Sequence, residues 1–135
     1  MSHFTTIKTQ ITDKNVLLKA LSELGFSDVE CHETAQHLYG FQGDARAQTA
    51  EIIIRRKYVG SASNDIGFKR HGDGTFEAII SEYDRRTYSQ QWVGRLQQRY
   101  AYHTVREQLD QNRFTLVEEK VEADQTIRLV VRRVA

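Results

Sequence analysis

The chain contains no proline, and only one cysteine, one tryptophan and one methionine in 135 residues. Without proline there is no rigid spacer, and the eight glycines are scattered rather than gathered into a linker, so residues 1–135 read as a single domain. A lone Cys31 excludes an internal disulfide and suits a reducing, cytosol-like compartment. No apolar run approaches the roughly eighteen residues of a membrane span, and Met1-Ser2-His3-Phe4 lacks a charged-then-apolar leader. An excess of one charge is lacking as well. Nineteen Lys and Arg face eighteen Asp and Glu, a net of +1, which argues against a protein whose main business is coating nucleic acid.

What is present is a globular composition, 39% hydrophobic, with the basic residues weighted toward the C-terminal side. Phe4 to Ile11 alternates β-branched residues and reads as a strand. Thr12 and Asp13 offer N-caps to a helix carrying Val16, Leu17, Ala20, Leu21 and Leu24 at helical spacing, and Gly25 supplies its stop. A second strand is expected over 28–33. Residues 34–48, with Gly40 and Gly43 and no clean period, read as a loop or an irregular edge strand. Ala50 to Tyr58 reads as a strand whose consecutive Ile52, Ile53 and Ile54 suggest burial on both faces. Residues 66–68 and 75–80 form a hairpin around Gly72-Asp73-Gly74. A long helix spans Tyr88 to about Asn112, and a last hairpin joins Phe114–Val121 to Thr126–Val134. The expected class is α+β, a mainly antiparallel sheet of about seven strands with two helices on one face, in the order β-α-β-β-β-β-α-β-β.

The long helix carries the most information about function. At one hundred degrees per residue, Trp92, Leu96, Tyr100 and His103 share a flank that should pack on the sheet. Arg95, Arg99, Tyr102 and Arg106 share another, with Ala101, Val105 and Leu109 as a second apolar strip. Guanidinium forks beside a phenol suit a carboxylate-rich partner or a phosphate. The plain alternative is a solvated face paired with Glu118, Glu119 or Glu122.

Other chemistry is thin. Cys31, His32, Glu33 and His37 imitate a metal set, but neighbours on a strand point to opposite faces, so no metal site is assigned. His103 reads as a hydrogen-bonded core residue and His71 as a solvated turn residue. Ser61, Ser63 and Ser81 sit in no nucleophile-elbow context, and the Gly72-Asp73-Gly74 turn precedes a strand rather than a phosphate-binding helix. No catalytic residue and no cofactor is assigned.

Several stretches are one another's usual companions. Met1-Ser2-His3-Phe4-Thr5-Thr6-Ile7-Lys8-Thr9, Asn64-Asp65-Ile66-Gly67-Phe68, Gln98-Arg99-Tyr100-Ala101-Tyr102-His103-Thr104-Val105 and Thr126-Ile127-Arg128-Leu129-Val130-Val131 occur in order along nearly the whole chain. With them the chain resembles the hypothetical chloroplast reading frame thirty-five family of cyanobacteria and algal plastids. The resemblance implies a soluble cytoplasmic or stromal protein and brings no catalytic residues with it.

Three readings follow. The first is a non-catalytic binding or assembly module presenting Arg95, Arg99, Tyr102 and Arg106 to an acidic protein partner, with a homodimer as its variant. The second is an RNA- or phosphate-binding protein that adds Arg128 and Arg132 of the last strand. The third is a small-molecule enzyme with a pocket between sheet and long helix and Tyr100 or His103 as acid or base.

Overall fold

A computed structural model describes residues 3–112 and 114–133. Five strands make an antiparallel sheet in the order β1-β5-β4-β3-β2: β1 is Phe4–Lys8, β2 Glu30–Tyr39, β3 Ala45–Ile54, β4 Ile66–Arg70 and β5 Phe76–Ser81. Helix α1 (Lys14–Glu23) follows β1, a single turn α2 (Arg56–Val59) follows β3, and α3 (Gln90–Gln111) follows a short 3-10 turn at Asp84–Arg86. The last two strands, β6 (Phe114–Val121) and β7 (Ile127–Arg133), pair only with each other. Val134, the expected end of the last strand, lies outside the described residues.

The class is α+β, as the sequence indicates, but the strands divide five and two instead of joining one sheet. The length of α3 explains the division. A 22-residue helix is about 33 Å long, and only Trp92, Val93 and Leu96, near its start, are buried. The later turns lean on α1, with Arg99 and His103 bonded to Glu23 and Glu107 to Lys19, and the β6 that follows them pairs with β7 rather than with an edge of the sheet.

Local chemistry sets the elements. Asp13 caps α1 by accepting from the amides of Asn15 (2.8 Å) and Val16 (3.1 Å). Gly25, at φ 101°, ends it while the Phe26 amide donates back to Leu21 O at 2.9 Å. Leu17, Ala20 and Leu21 of α1 meet Trp92, Val93 and Leu96 of α3 over Ile52, Ile54, Ile66, Phe68, Phe76, Ala78 and Ile80 of the sheet. Both long helices therefore lie on one face.

The opposite face has its own small core of Leu38, Ala50, Ile53 and Ile79, with Phe4 packed against it. The isoleucine run is thus buried on both sides: Ile52 and Ile54 toward the helices, Ile53 away from them. Residues 34–48 supply the cover. They form the irregular edge strand and its turn, with β2 slipping register against β3 between Cys31 and Gln36 and again between His37 and Tyr39, and Leu38 fully buried. The turn at 40–44 closes through Gly40 N to Asp44 O (2.8 Å). One expectation fails here. The strand from Ala50 does not reach Tyr58 but stops at Ile54, because Arg55 and Arg56 turn inward to a buried carboxylate.

Candidate functional site

The arginine strip of α3 is only partly available. Arg99 donates to Glu23 of α1 through Nε (3.2 Å) and Nη2 (3.0 Å), and to Glu119 of β6 through Nη1 (3.3 Å). Its guanidinium carbon also stands 4.2 Å from the centre of the Tyr102 ring. Arg106 donates to the Tyr102 hydroxyl at 3.2 Å and lies 4.0 Å from Asp110. Arg95 is exposed and makes no hydrogen bond or ion pair among the described residues. The expectation that the three arginines stand open together is corrected at Arg99. Its acids come from elements 76 and 20 residues away, so helical periodicity could not reveal both pairings.

Arg128 and Arg132 do not extend this strip. Ile127 and Leu129 of β7 face α3, where they line a groove with Ala101 and Val105. Strand alternation then turns Arg128 and Arg132 to the far side, both exposed, with Arg128 Nε 3.8 Å from Glu122. The surface that the RNA reading needs is therefore two surfaces.

The groove between α3 and the β6–β7 hairpin is the feature that periodicity only hinted at. One hollow of about 500 Å³ is lined by Gln91, Gly94, Arg95, Gln98 and Gln125. A second, of about 480 Å³, shares Gly94, Gln98 and Gln125 and continues over Ala101, Val105, Ile127 and Leu129. The Gln98 amide donates to the Gln125 carbonyl and ties the hairpin to the helix. The second apolar strip of α3 thus becomes a groove floor, with Arg95 at one end.

Trp92, Val93 and Leu96 fill the seam beneath the first turns of α3, and a smaller hollow of about 260 Å³ opens further along, between Tyr100, Thr104 and the Gln10-Ile11 segment. The Tyr100 hydroxyl accepts from the amides of Thr12 (3.1 Å) and Asp13 (3.0 Å). Burial pushes that phenol up, but these hydrogen bonds prevail and its pKa is lowered. His103 Nε2 meets Glu23, so the imidazole is hydrogen-bonded as expected, though half-buried rather than in the core. The Tyr100 hydroxyl that the enzyme reading takes as acid or base is thus engaged by the start of α1.

Among the remaining candidates, Cys31 is exposed, His32 Nε2 lies 2.8 Å from Glu30, and His37 Nδ1 lies 2.8 Å from the Arg46 carbonyl. Among the described residues no three His, Cys, Asp or Glu side chains converge on one point. His71, in its turn, pairs with Glu77 instead of standing in solvent alone.

A buried polar node at the end of the sheet was not singled out by spacing. Asp65, fully buried, accepts from Arg55 Nη1 (2.8 Å), the Tyr39 amide (2.7 Å) and the Arg56 amide (2.7 Å). Asn64, also fully buried, accepts from the Phe41 amide (2.9 Å) and donates to Ser81 Oγ (2.9 Å). Asp84 accepts from the Asn64 amide (2.9 Å) and Ser81 Oγ (2.8 Å). The available signal was a pair of polar residues, Asn64-Asp65, set directly against the run Ile66-Gly67-Phe68.

Arg55 also holds Glu30 through Nε and Nη2, both at 2.9 Å. Those hydrogen bonds outweigh burial and set the Glu30 carboxyl at about 2, below its ordinary 4.5. Glu23 is lowered as well, the bonds from Arg99 and His103 overcoming the opposing effect of burial. A carboxyl depressed in the folded state stabilises fully above its unfolded pKa and loses that contribution as pH falls. The thermal midpoint should therefore drop as pH falls from about 4.5 to 2, and Glu30→Gln should flatten part of that slope. An identical slope in the variant would refute the assignment.

The family model described as "Protein of unknown function (DUF1257)" matches residues 20–130. The chain belongs to the DUF1257 family. Relatives of this DUF1257 chain include the "Uncharacterized protein ycf35" of Cyanophora paradoxa, 30% identical over 134 residues and covering 98% of both chains. A protein of the same name from Pyropia yezoensis is 28% identical over 144 residues, again with 98% of both chains covered. No solved structure matches. The reading-frame-thirty-five resemblance is thereby confirmed. Among the described residues of this DUF1257 protein no helix is long and apolar enough to cross a membrane.

Proposed function

We propose that this protein is a non-catalytic binding or assembly module. Its partner surface is the groove between α3 and the β6–β7 hairpin, and its partner is a protein segment that combines apolar and acidic side chains. One observation carries this: an open apolar floor of Ala101, Val105, Ile127 and Leu129 adjoins an exposed Arg95 that has no carboxylate partner among the described residues. Val105, 40% exposed, leaves aliphatic surface on that floor open to a partner. Arg106, with 43% of its side chain exposed, adds a second cation on the same helix. Arg99 supports the surface from within by holding α1, α3 and β6 together. The setting is an aqueous compartment, the cytoplasm or a plastid stroma.

Val105→Asp and Arg95→Glu change exposed residues, so both variants should melt like the parent. Proteins cross-linked to the parent in native extract should be lost from both, with the cross-linked peptide mapping to an acidic, apolar segment and to residues 94–105 or 125–129. Unchanged cross-links in the two variants would remove the proposal. So would cross-links confined to a second copy of this chain, which would make the groove a homodimer interface instead.

A further inference from the structure

We propose that the cleft between the 60–63 loop and the Asp84–Arg86 turn binds a free mononucleotide. This site lies at the end of the sheet and stands independently of the α3 groove. The cleft holds about 400 Å³, enough for one nucleotide, and its walls include Ser61, Tyr83, Asp84, Arg86 and Tyr88.

Three chemistries meet there. The first is an acceptor. Asp84 is 3% exposed, and its Oδ2 accepts from the Asn64 amide (2.9 Å), Asn64 Nδ2 (3.3 Å) and Ser81 Oγ (2.8 Å). Its Oδ1 accepts no hydrogen bond among the described residues, although no fully enclosed polar atom there lacks a partner. The carboxylate has no cationic partner among them either. Oδ1, which is not fully enclosed, is therefore an acceptor open to whatever occupies the cleft, and a carboxylate oxygen of this kind suits sugar hydroxyls.

The second is a phosphate-binding fork. Arg86 donates through Nε to the Tyr83 carbonyl (3.1 Å), and its guanidinium carbon stands 4.2 Å from the Tyr83 ring centre. Stacking fixes the plane, while the two terminal nitrogens reach no acceptor among the described residues. The third is aromatic surface. Tyr83 is 41% exposed at the mouth, and Tyr88 is held by Phe26 and Trp92 at ring-centre distances of 5.7 and 5.2 Å. Burial, and then the charge of Asp84, raises the Tyr88 phenol pKa, which agrees with a negative group beside that wall.

An amine ligand would satisfy Asp84 but meet Arg86, and a bare phosphate would satisfy Arg86 but meet Asp84. A nucleotide presents hydroxyls, a ring and a phosphate at once, and so matches all three. The loop is tightly folded on itself: a Cβ at Gly60 would stand 2.6 Å from Ser63 Oγ. Arg56 fixes the loop further by donating to the carbonyls of Ser63 (3.1 Å), Ser61 (3.4 Å) and Phe41 (2.6 Å).

The test titrates the full chain with adenosine monophosphate, following amide resonances of residues 60–63 and 83–88. Ribose 5-phosphate, deoxyadenosine monophosphate and a short adenine oligoribonucleotide serve as further arms. Adenosine monophosphate should shift those resonances, and the deoxy analogue should bind about tenfold more weakly, the worth of one hydrogen bond to a charged group. Arg86→Ala and Tyr83→Ala, both at exposed positions, should each weaken binding about tenfold with unchanged melting. Val105→Asp should leave it intact, which separates this site from the α3 groove. Asp84→Asn, if folded, should erase the preference for the ribose form. No binding at millimolar concentrations, or binding indifferent to Arg86 and Tyr83, would overturn the proposal. Binding of the oligonucleotide alone would overturn it in favour of a single-stranded nucleic acid.

Discussion

Asp65→Ala is expected to destabilise the fold by about 3–5 kcal/mol, the cost of removing one member of a buried ion pair. Asp65 is fully buried, and it accepts at once from the Arg55 guanidinium, the Arg56 amide and the Tyr39 amide. Deleting it leaves two amides without their acceptor in a place water reaches poorly, and leaves the Arg55 guanidinium balanced by Glu30 alone. Those three donors bring β2, the end of β3 and the start of α2 to one point, so the loss should also loosen the 55–65 segment. Urea unfolding with a matched slope measures the difference. Asp65→Asn should fall between variant and parent, because a neutral oxygen still accepts but no longer balances Arg55. A loss below about 1 kcal/mol for the alanine variant, an ordinary value for a single substitution, would show that the node is dispensable.

Gly67→Ala should cost about 1–3 kcal/mol by overpacking. Gly67 sits mid-strand in β4, where a Cβ would stand 2.8 Å from Ala50 Cβ and 3.0 Å from Leu38 Cδ2. Both neighbours are fully buried in the smaller core, and Ala50 has no rotamer by which to withdraw. Pairing Gly67→Ala with Ala50→Gly removes the clashing methyl and should recover part of the loss, a coupling that a double-mutant cycle reads directly. A neutral single variant, or zero coupling, would mean that β2 does not press on β4 as described.

These two positions also mark where sequence reasoning stops. Signals confined to a few residues were legible: the cap at Asp13, the stop at Gly25, the isoleucine run, the inward face of α3 at Trp92 and Leu96. Each depends on periodicity or on one turn of backbone. The course of residues 34–48 was open between loop and irregular strand, because its two slips against β3 follow from Leu38 seeking the far side of the sheet. Arg99 looked available because its acids, Glu23 and Glu119, lie on two other elements. The cleft at Asp84 was invisible for the same reason: its walls come from the 60–63 loop and the 83–88 segment, neither of which shows a motif alone.

The sheet order carries a consequence for how the protein is made. β1 hydrogen-bonds only to β5, so Thr5 reaches its partner carbonyl at Ile80 across 75 residues of chain. At the usual pace of synthesis that interval lasts roughly 4–15 seconds. Through all of it β1 has no strand to pair with, while the β2–β3 hairpin can already close. Of the five strands of the sheet, the first in chain order therefore waits longest for its partner.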